Sequence, residues 1–569
     1  MQRGDNSFGR LPDGLQGVKR ADDPSQLAEQ ESQYKAERDD LLRRHLALVD
    51  RYDWALAVAT ELARCPKGIP GLLAQCLPHG LWRWFQMRRL RRKKLFDLRA
   101  YRNRYPDTRR SKFGVLAHFL RWGIHEGRAA GPNAAPAPLE HIDVGLQETI
   151  LRSGLFDPEW YAETYGVAAS TPELALRDYL SQSQIDPLRD PGPLFSGAHY
   201  LLENPDTARI NPLQHFISCG MAEGRRAFSP AAADRFMAVA AGTVLAVPES
   251  LLDPAKPTVV LCWEQGNFFF EDIARYVCEF LAQRGYQAER RFDDASIDPE
   301  RFNLVVVAPH EYCIHGPGRH WSDRQFSHPV YVNTEQWHTS WFSLALGVMV
   351  RSGKALDINP ASARGLARLG LTAAFLPIVP TIGETFNFPR QSLSPQTTAL
   401  RAMRALTYPA DAQQRPYAIL YVAALNERRA RILAGLAPHL AKHDCFLHTP
   451  ALQGPVTARS ANMIPSADVS QLARNSKILL NIHQGASRYF EWHRLFVSGI
   501  CEGCVVVTEP CIETGLLVPG VHYLEVELEL MGQYLDWLLL TPEGARLMDE
   551  VRANCSGLQQ ELFGAGVNR

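Results

Sequence analysis

Apolar residues change their spacing twice along this chain. From Ser25 to Arg64 they recur every seventh residue, at Leu27, Tyr34, Leu41, Leu48, Ala55 and Leu62. That spacing predicts one charged helix, either a short coiled coil or a helix packed on its own chain. From Leu95 onward aromatic residues and Pro-Asp pairs recur at longer intervals. Beyond Pro257 short apolar runs alternate with helical patterns: a strand at Thr258–Cys262, a helix at Phe270–Arg284, strands at Asn303–Val307 and Val330–Asn333, then Ala361–Leu369 with Ala373–Leu376. A second such series begins at Tyr417, with Asn426-Glu427-Arg428-Arg429 opening a helix. It ends in a strand through Ile478–Leu480, a polar loop from Gln484 to Tyr489, a helix over Phe490–Glu502 and a buried strand at Cys504–Val507. Strand and helix in alternation predict doubly wound α/β units built on parallel sheets.

The region 96–230 reads as three copies of one helical unit. Phe96 and Phe195 each precede a Pro-Asp pair, Pro106-Asp107 and Pro205-Asp206; His118-Phe119 and His215-Phe216 then precede Gly123-x-x-x-Gly127 and Gly220-x-x-x-Gly224. The middle copy, LFDPEWYAETYGVAASTPELALRDYLSQS, lacks the closing glycines. Each copy predicts helix, Pro-Asp turn and helix with aromatics between them, and the two histidines read as side chains bonding a neighbouring turn.

Length and composition narrow the classes. A chain of 569 residues exceeds one ordinary core, and roughly three or four units are expected. A 46% hydrophobic and 21% charged content is that of a soluble globular protein. Zero net charge gives no bulk attraction to nucleic acid. No apolar run reaches the ~18 residues of a membrane span, and the first residues make no signal peptide, so a cytoplasmic location is expected. One segment, 67–95, is locally extreme: Arg83, Arg88, Arg89, Arg91, Arg92, Lys93 and Lys94 adjoin Leu81, Trp82, Trp84 and Phe85 with no acid between them. It fits a peripheral helix on an anionic membrane, or a solvated basic cap on the next unit. The 11 cysteines are scattered; Cys501-x-x-Cys504 has no second pair at zinc spacing, so no metal site is expected.

Candidate chemistry sits at strand ends, since ligands of open parallel sheets bind at the carboxyl edge. In the first α/β unit these ends carry Glu264, His310 and Glu335; in the second they carry His483, Thr508 and Glu509. Ser487, Arg488 and Tyr489 in the loop, with Glu491, His493 and Arg494 in the first turn of the expected helix, would receive a diphosphate at a helix N-terminus. No Asp-x-Asp, G-x-G-x-x-G or Walker loop occurs, which argues against a metal-clamped diphosphate, a dinucleotide oxidoreductase and an NTPase.

The order His483, Arg488, Phe490-Glu491, Arg494-Leu495-Phe496, Gly503, Thr508-Glu509 and Pro519-Gly520-x-x-Tyr523 resembles the donor-binding half of group 1 glycosyltransferases of GT-B fold, in their spore-maturation-type branch. The resemblance covers the last quarter of the chain. It departs at Val497, where a glutamate usually follows the phenylalanine, and Glu502 stands before Gly503 instead; Glu491 and Glu502 are therefore both candidates for the donor ribose. HGLWRWFQMRRLRR and the helical copies are likewise similar to segments found beside bacterial polysaccharide-synthesis glycosyltransferases. The resemblance implies an α/β, GT-B type fold, two Rossmann-like domains at 257–380 (acceptor side) and 417–569 (donor side), joined by a linker at 381–416. An all-α repeat region at 96–230, the basic segment and a coiled-coil-like helix within 1–66 precede them. It implies transfer of a sugar from a nucleotide-sugar donor to a glycan, lipid-linked glycan or protein acceptor, with no cofactor and no nucleic-acid partner. Glu335, His310 and Glu264 would supply the base of an inverting reaction; a retaining one needs none. Self-association through the N-terminal helix is a further expectation. The alternative from another class is a non-catalytic scaffold of the same fold, acting through its repeats.

Overall fold

The computed structural model describes residues 144–379 and 411–558, with gaps at 184–185, 187, 208–210, 293–296, 452–455, 458–459 and 461–462, and isolated positions elsewhere. The expected heptad helix, the basic-aromatic segment, the first helical copy and most of the linker lie outside the described residues.

The described chain opens with six helices: α1 (Val144–Arg152), α2 (Pro158–Tyr165), α3 (Pro172–Gln182), α4 (Gly197–Glu203), α5 (Pro212–His215) and α6 (Pro230–Val239). Local chemistry sets most of their starts. Asp157, Thr171, Asn211 and Ser229 each accept a backbone N–H from the first turn, and each is followed by proline, whose missing N–H costs nothing there. Aromatic rings fill the space between helices: Phe195, Tyr200 and Phe216 lie 5.5 to 5.8 Å apart, and His215 bonds the Tyr200 hydroxyl at 2.8 Å.

The remainder is mixed α/β with two parallel sheets. The first contains β1 (Thr258–Leu261), β2 (Ala288–Arg291), β3 (Asn303–Val307), β4 (Val330–Asn333), β5 (Lys354–Asp357) and β6 (Thr372–Phe375) in the order β2-β1-β3-β4-β5-β6. Its helices are α7 (Phe268–Gln283), α8 (Pro309–Tyr312), α9 (Asp323–Phe326), α10 (Ser340–Ser352) and α11 (Pro360–Arg368). The second contains β7 (Tyr417–Val422), β8 (Cys445–His448), β9 (Ser476–Asn481), β10 (Val505–Thr508) and β11 (Leu524–Glu525), ordered β11-β10-β9-β7-β8, with α12 (Glu427–Leu440), α13 (Ser466–Arg474), α14 (Leu528–Leu540) and α15 (Pro542–Cys555). All strand pairs are parallel. Both sheets reverse their order beside the first strand, between β1 and β3 and between β7 and β9. The arrangement is consistent with a GT-B-like fold.

Four strands escape the hydrophobic pattern. β2 reads Ala-Glu-Arg-Arg and lies at a half-exposed edge, β11 is two residues long, β5 lies inside the first sheet with Lys354 and Asp357 at its ends, and β8 is a part-exposed edge of the second. The helix expected over Phe490–Glu502 is also corrected. The chain is irregular to Glu491, makes one π-helical turn at His493–Val497, and resumes as a 3₁₀ turn at Ile500–Glu502. Gly499 breaks it: a Cβ there would stand 2.6 Å from Leu479 and 2.9 Å from Val506, so the backbone rests directly on β9 and β10. Among the described residues no helix is long and apolar enough to cross a membrane.

The segment around Trp492 ties the second sheet to the first, beside contacts such as Arg364 to the Thr514 carbonyl at 3.2 Å. Trp492 is 1% exposed, donates its indole N–H to the Ile378 carbonyl at 3.0 Å, and packs against Phe375 and Phe496 with ring centroids 5.1 and 4.5 Å away. Asn359 at the start of α11 donates to the Phe490 carbonyl at 2.8 Å. Trp492→Ala is expected to cost about 3–5 kcal/mol, read as a lower denaturant midpoint, whereas Leu540→Ala at the exposed (62%) last position of α14 should stay within about 0.5 kcal/mol.

Candidate functional site

A cavity of about 380 Å³ opens where the carboxyl edges of the two sheets face each other. Asn267 and Phe269 after β1, Glu335 after β4, Val422–Ala424 after β7 and Gln484 after β9 all line it. Both order reversals therefore point at the same space, which is where open parallel sheets leave a crevice between loops running to opposite faces.

On the second sheet's wall the cluster is cationic. Arg429, in the first turn of α12, is 3% exposed; it donates to the Ile482 carbonyl and the Ala424 carbonyl, both at 3.0 Å, which aims its remaining nitrogen inward. Arg494, in the π turn, pairs with Glu491, and Arg429 stands 4.0 Å from the same carboxylate. Burial works to raise the Glu491 carboxyl, but Arg494, Arg429 and His483 together hold it below its ordinary value. Two guanidinium groups against one carboxylate leave one positive charge over. Burial, then the adjacent Arg494, presses the Arg429 guanidinium below its usual value. The same two influences bring His493 down to about 4, so its ring is neutral at pH 7. Tyr489 is 4% exposed, and its hydroxyl, like Arg494 Nε and His493 Nε2, has no hydrogen-bond partner within the protein. Buried polar atoms of this kind call for a polar occupant.

On the first sheet's wall the groups are acidic. Burial, with the Glu311 carboxylate nearby, pushes Glu335 up to about 7. His310 Nε2 lies 3.5 Å from Glu335 Oε1; its buried ring sits between Phe270 and Trp341, and burial drives its basicity down to about 3. His310 thus stands behind Glu335 as a neutral neighbour. Glu311, raised to about 7 by burial, accepts the Asn267 N–H at 2.9 Å. Their placement depends on Ala308, whose φ of 51° makes it the one non-glycine residue with positive φ among the described residues. Such a conformation is strained for a residue with a Cβ, and it turns β3 directly into α8. Phe269 crosses the cavity to meet the His493 ring at 5.9 Å.

The structure brings Glu335, Tyr489, Glu491, His493 and Arg494 together at the cavity. It places the other candidates elsewhere. Glu502 lies at the opposite, amino edge of β10, paired with Arg474 and beside Arg415, so it does not reach the cleft. Arg488 is exposed and outside the lining. Glu264 is exposed on the turn after β1. Ser487 is turned to Asp234, with its hydroxyl donating at 2.7 Å. His483, Thr508 and Glu509 lie outside the lining in a network of their own: Glu509 takes the Arg428 guanidinium at both oxygens and accepts the His483 N–H at 2.8 Å, while the Thr508 hydroxyl accepts from Asn481 at 2.9 Å. His483 bonds the Pro510 carbonyl, and burial lowers its basicity. Cys501 is a half-buried thiol and Cys504 a buried one, both raised by desolvation, the second to about 12. Sequence reasoning missed Arg429 and Glu311 as site residues. Both stand where a strand gives way to a helix, and Arg429 follows its Asn426 cap by three residues; that position was the available signal.

No known protein-family model matches the chain, and no curated protein matches it. Among solved structures, Anabaena Alr3699/HepE in complex with UDP aligns at a TM-score of 0.31 with 10% identity, over 54% of this chain and 95% of that one. The same protein with UDP and glucose gives 0.30 and 11%, over 55% and 99%.

The raised Glu335 carboxyl has a testable sign. Held neutral in the folded protein up to about 7 against an ordinary 4.5, it supports the fold fully at low pH and loses that contribution as pH rises through 7. Glu335→Gln should therefore match wild type in melting temperature near pH 4.5 to 5 and exceed it at pH 8.5.

Proposed function

We propose that this chain is a glycosyltransferase of GT-B type that moves a sugar from a nucleoside-diphosphate donor to an acceptor hydroxyl, with protein groups alone stabilising the leaving diphosphate. The observation that carries the reading is the surplus positive charge of Arg429 and Arg494 over Glu491, buried at the carboxyl edge of the second sheet and facing Glu335 across the cavity. A buried cation without its own counter-ion favours an anionic occupant, and a diphosphate gives each guanidinium oxygens to bind. Developing charge on a departing diphosphate would be held there without reorganisation.

In an inverting reaction the acceptor oxygen bonds to the anomeric carbon as the bond from that carbon to the diphosphate oxygen breaks. The acceptor proton passes to Glu335, and the nucleoside diphosphate departs with the bond's electron pair. A carboxyl near 7 is well matched to accept a proton at neutral pH. Glycan, lipid-linked glycan and protein remain the acceptor classes of this proposal.

Calorimetric titration of the purified chain with UDP, GDP, ADP and their sugar conjugates tests the reading. One nucleotide should bind saturably, and Arg429→Ala and Arg494→Ala should each weaken it about 10- to 100-fold, the loss of a charge-assisted contact. Arg488→Ala, outside the cavity, should leave Kd within about twofold. A folded protein that binds none of them would sink the proposal in favour of a scaffold.

A further inference from the structure

The loop Gln484–Arg488, which leads into the cationic cluster, is gripped by a residue from a distant part of the chain. Asp234 on α6 accepts the Ser487 hydroxyl at Oδ1, 2.7 Å away and 253 positions apart in sequence. Its other oxygen, Oδ2, accepts the backbone N–H of Arg488 at 2.9 Å. One carboxylate thus closes over two consecutive residues. Both bonds are charge-assisted, and neither can be replaced by a neighbour without moving the loop.

The helix that carries Asp234 is itself immobilised. Phe236 on α6 lies 4.5 Å from the Trp337 ring, which in turn stacks on Phe342 at 4.6 Å. Gly365 of α11 lets those rings approach, because a Cβ there would stand 2.7 Å from Trp337 and 2.9 Å from Phe236. Trp337 follows Glu335 by two residues, so the platform under Asp234 is continuous with the acidic wall of the cavity. Ser487 is 3% exposed, and the chain passes from it straight to Tyr489, Glu491, His493 and Arg494. Where residues 487 and 488 are fixed, the approach angle of that cluster is fixed.

We propose that Asp234 is a positioning residue for the anion site: from the helical part of the chain it holds the Gln484–Arg488 loop so that Tyr489 and Arg494 present their unpartnered atoms to the diphosphate. This rests on the nucleotide reading of the cavity given above. It makes the helical region a working part of the donor site, beyond any role in docking a partner.

Two measurements on the full chain test it, the Kd for the nucleotide that wild type binds and hydrogen exchange across residues 484–490. Asp234→Ala should weaken binding about tenfold and speed exchange across the loop. Its melting temperature should stay near that of wild type, since α6 is held by Phe236. Asp234→Asn, which keeps one acceptor oxygen, should recover part of both effects. Asp206→Ala, on an exposed ion pair with Arg225 in the same helical region, should change neither and guards against a general loosening of the helices. Unchanged affinity or unchanged exchange in Asp234→Ala would overturn the proposal. If wild type binds no nucleotide, the nucleotide reading fails and takes with it the link to a diphosphate; exchange then decides the grip on the loop alone, with acceleration supporting it and no change rejecting it.

Discussion

The geometry of the cavity depends on a six-residue segment, Ser487–Trp492, being held from outside its own sheet. Ser487 and Arg488 are bound by Asp234, the Phe490 carbonyl by Asn359, and the Trp492 indole by the Ile378 carbonyl. Each anchor belongs to the helical region or the first α/β unit. Up to Trp492 the segment belongs to no helix or sheet, so apart from the Arg488 carbonyl, which accepts the Ile512 N–H, these groups must find partners across the junction. The junction supplies them, and it thereby sets the distance between the cationic and acidic walls.

Charge in the cavity follows from that geometry. The segment delivers Glu491 and Arg494 into a space already occupied by Arg429, whose position is set independently by the Asn426 cap and the Ile482 and Ala424 carbonyls. Desolvation would raise a lone Glu491; two arginines reverse the sign and keep it ionised. Opposite, Glu335 and Glu311 have no such cations, and burial pushes both up to about 7. The two walls differ because one received guanidinium groups and the other received aromatic rings and a neutral histidine.

Much of the α/β architecture was legible in the sequence because buried parallel strands are continuous apolar runs, as in Thr258–Leu261, Asn303–Val307 and Val505–Val507, whose burial leaves no polar face to confuse the reading. The strands that went unread, such as β2 with its Glu-Arg-Arg, owe their pairing to neighbours rather than to their own pattern. The helix read across Phe490–Glu502 failed for a similar reason. Leu495, Phe496 and Ile500 do have helical spacing, but Gly499 packs its backbone onto β9 and β10, and the chain there follows contact rather than periodicity.

By itself the sequence determined the alternation of strand and helix, the caps that start Pro158, Pro172, Pro212 and Pro230 helices, and the candidates at strand ends, since these depend on residues within a few positions of one another. Only the tertiary structure decided which candidates share a cavity. It sent Glu502 to the far edge with Arg474, turned Ser487 to Asp234, left Arg488 exposed and brought in Arg429. Those outcomes rest on contacts between segments tens to hundreds of residues apart, and no local spacing encodes where two sheets meet.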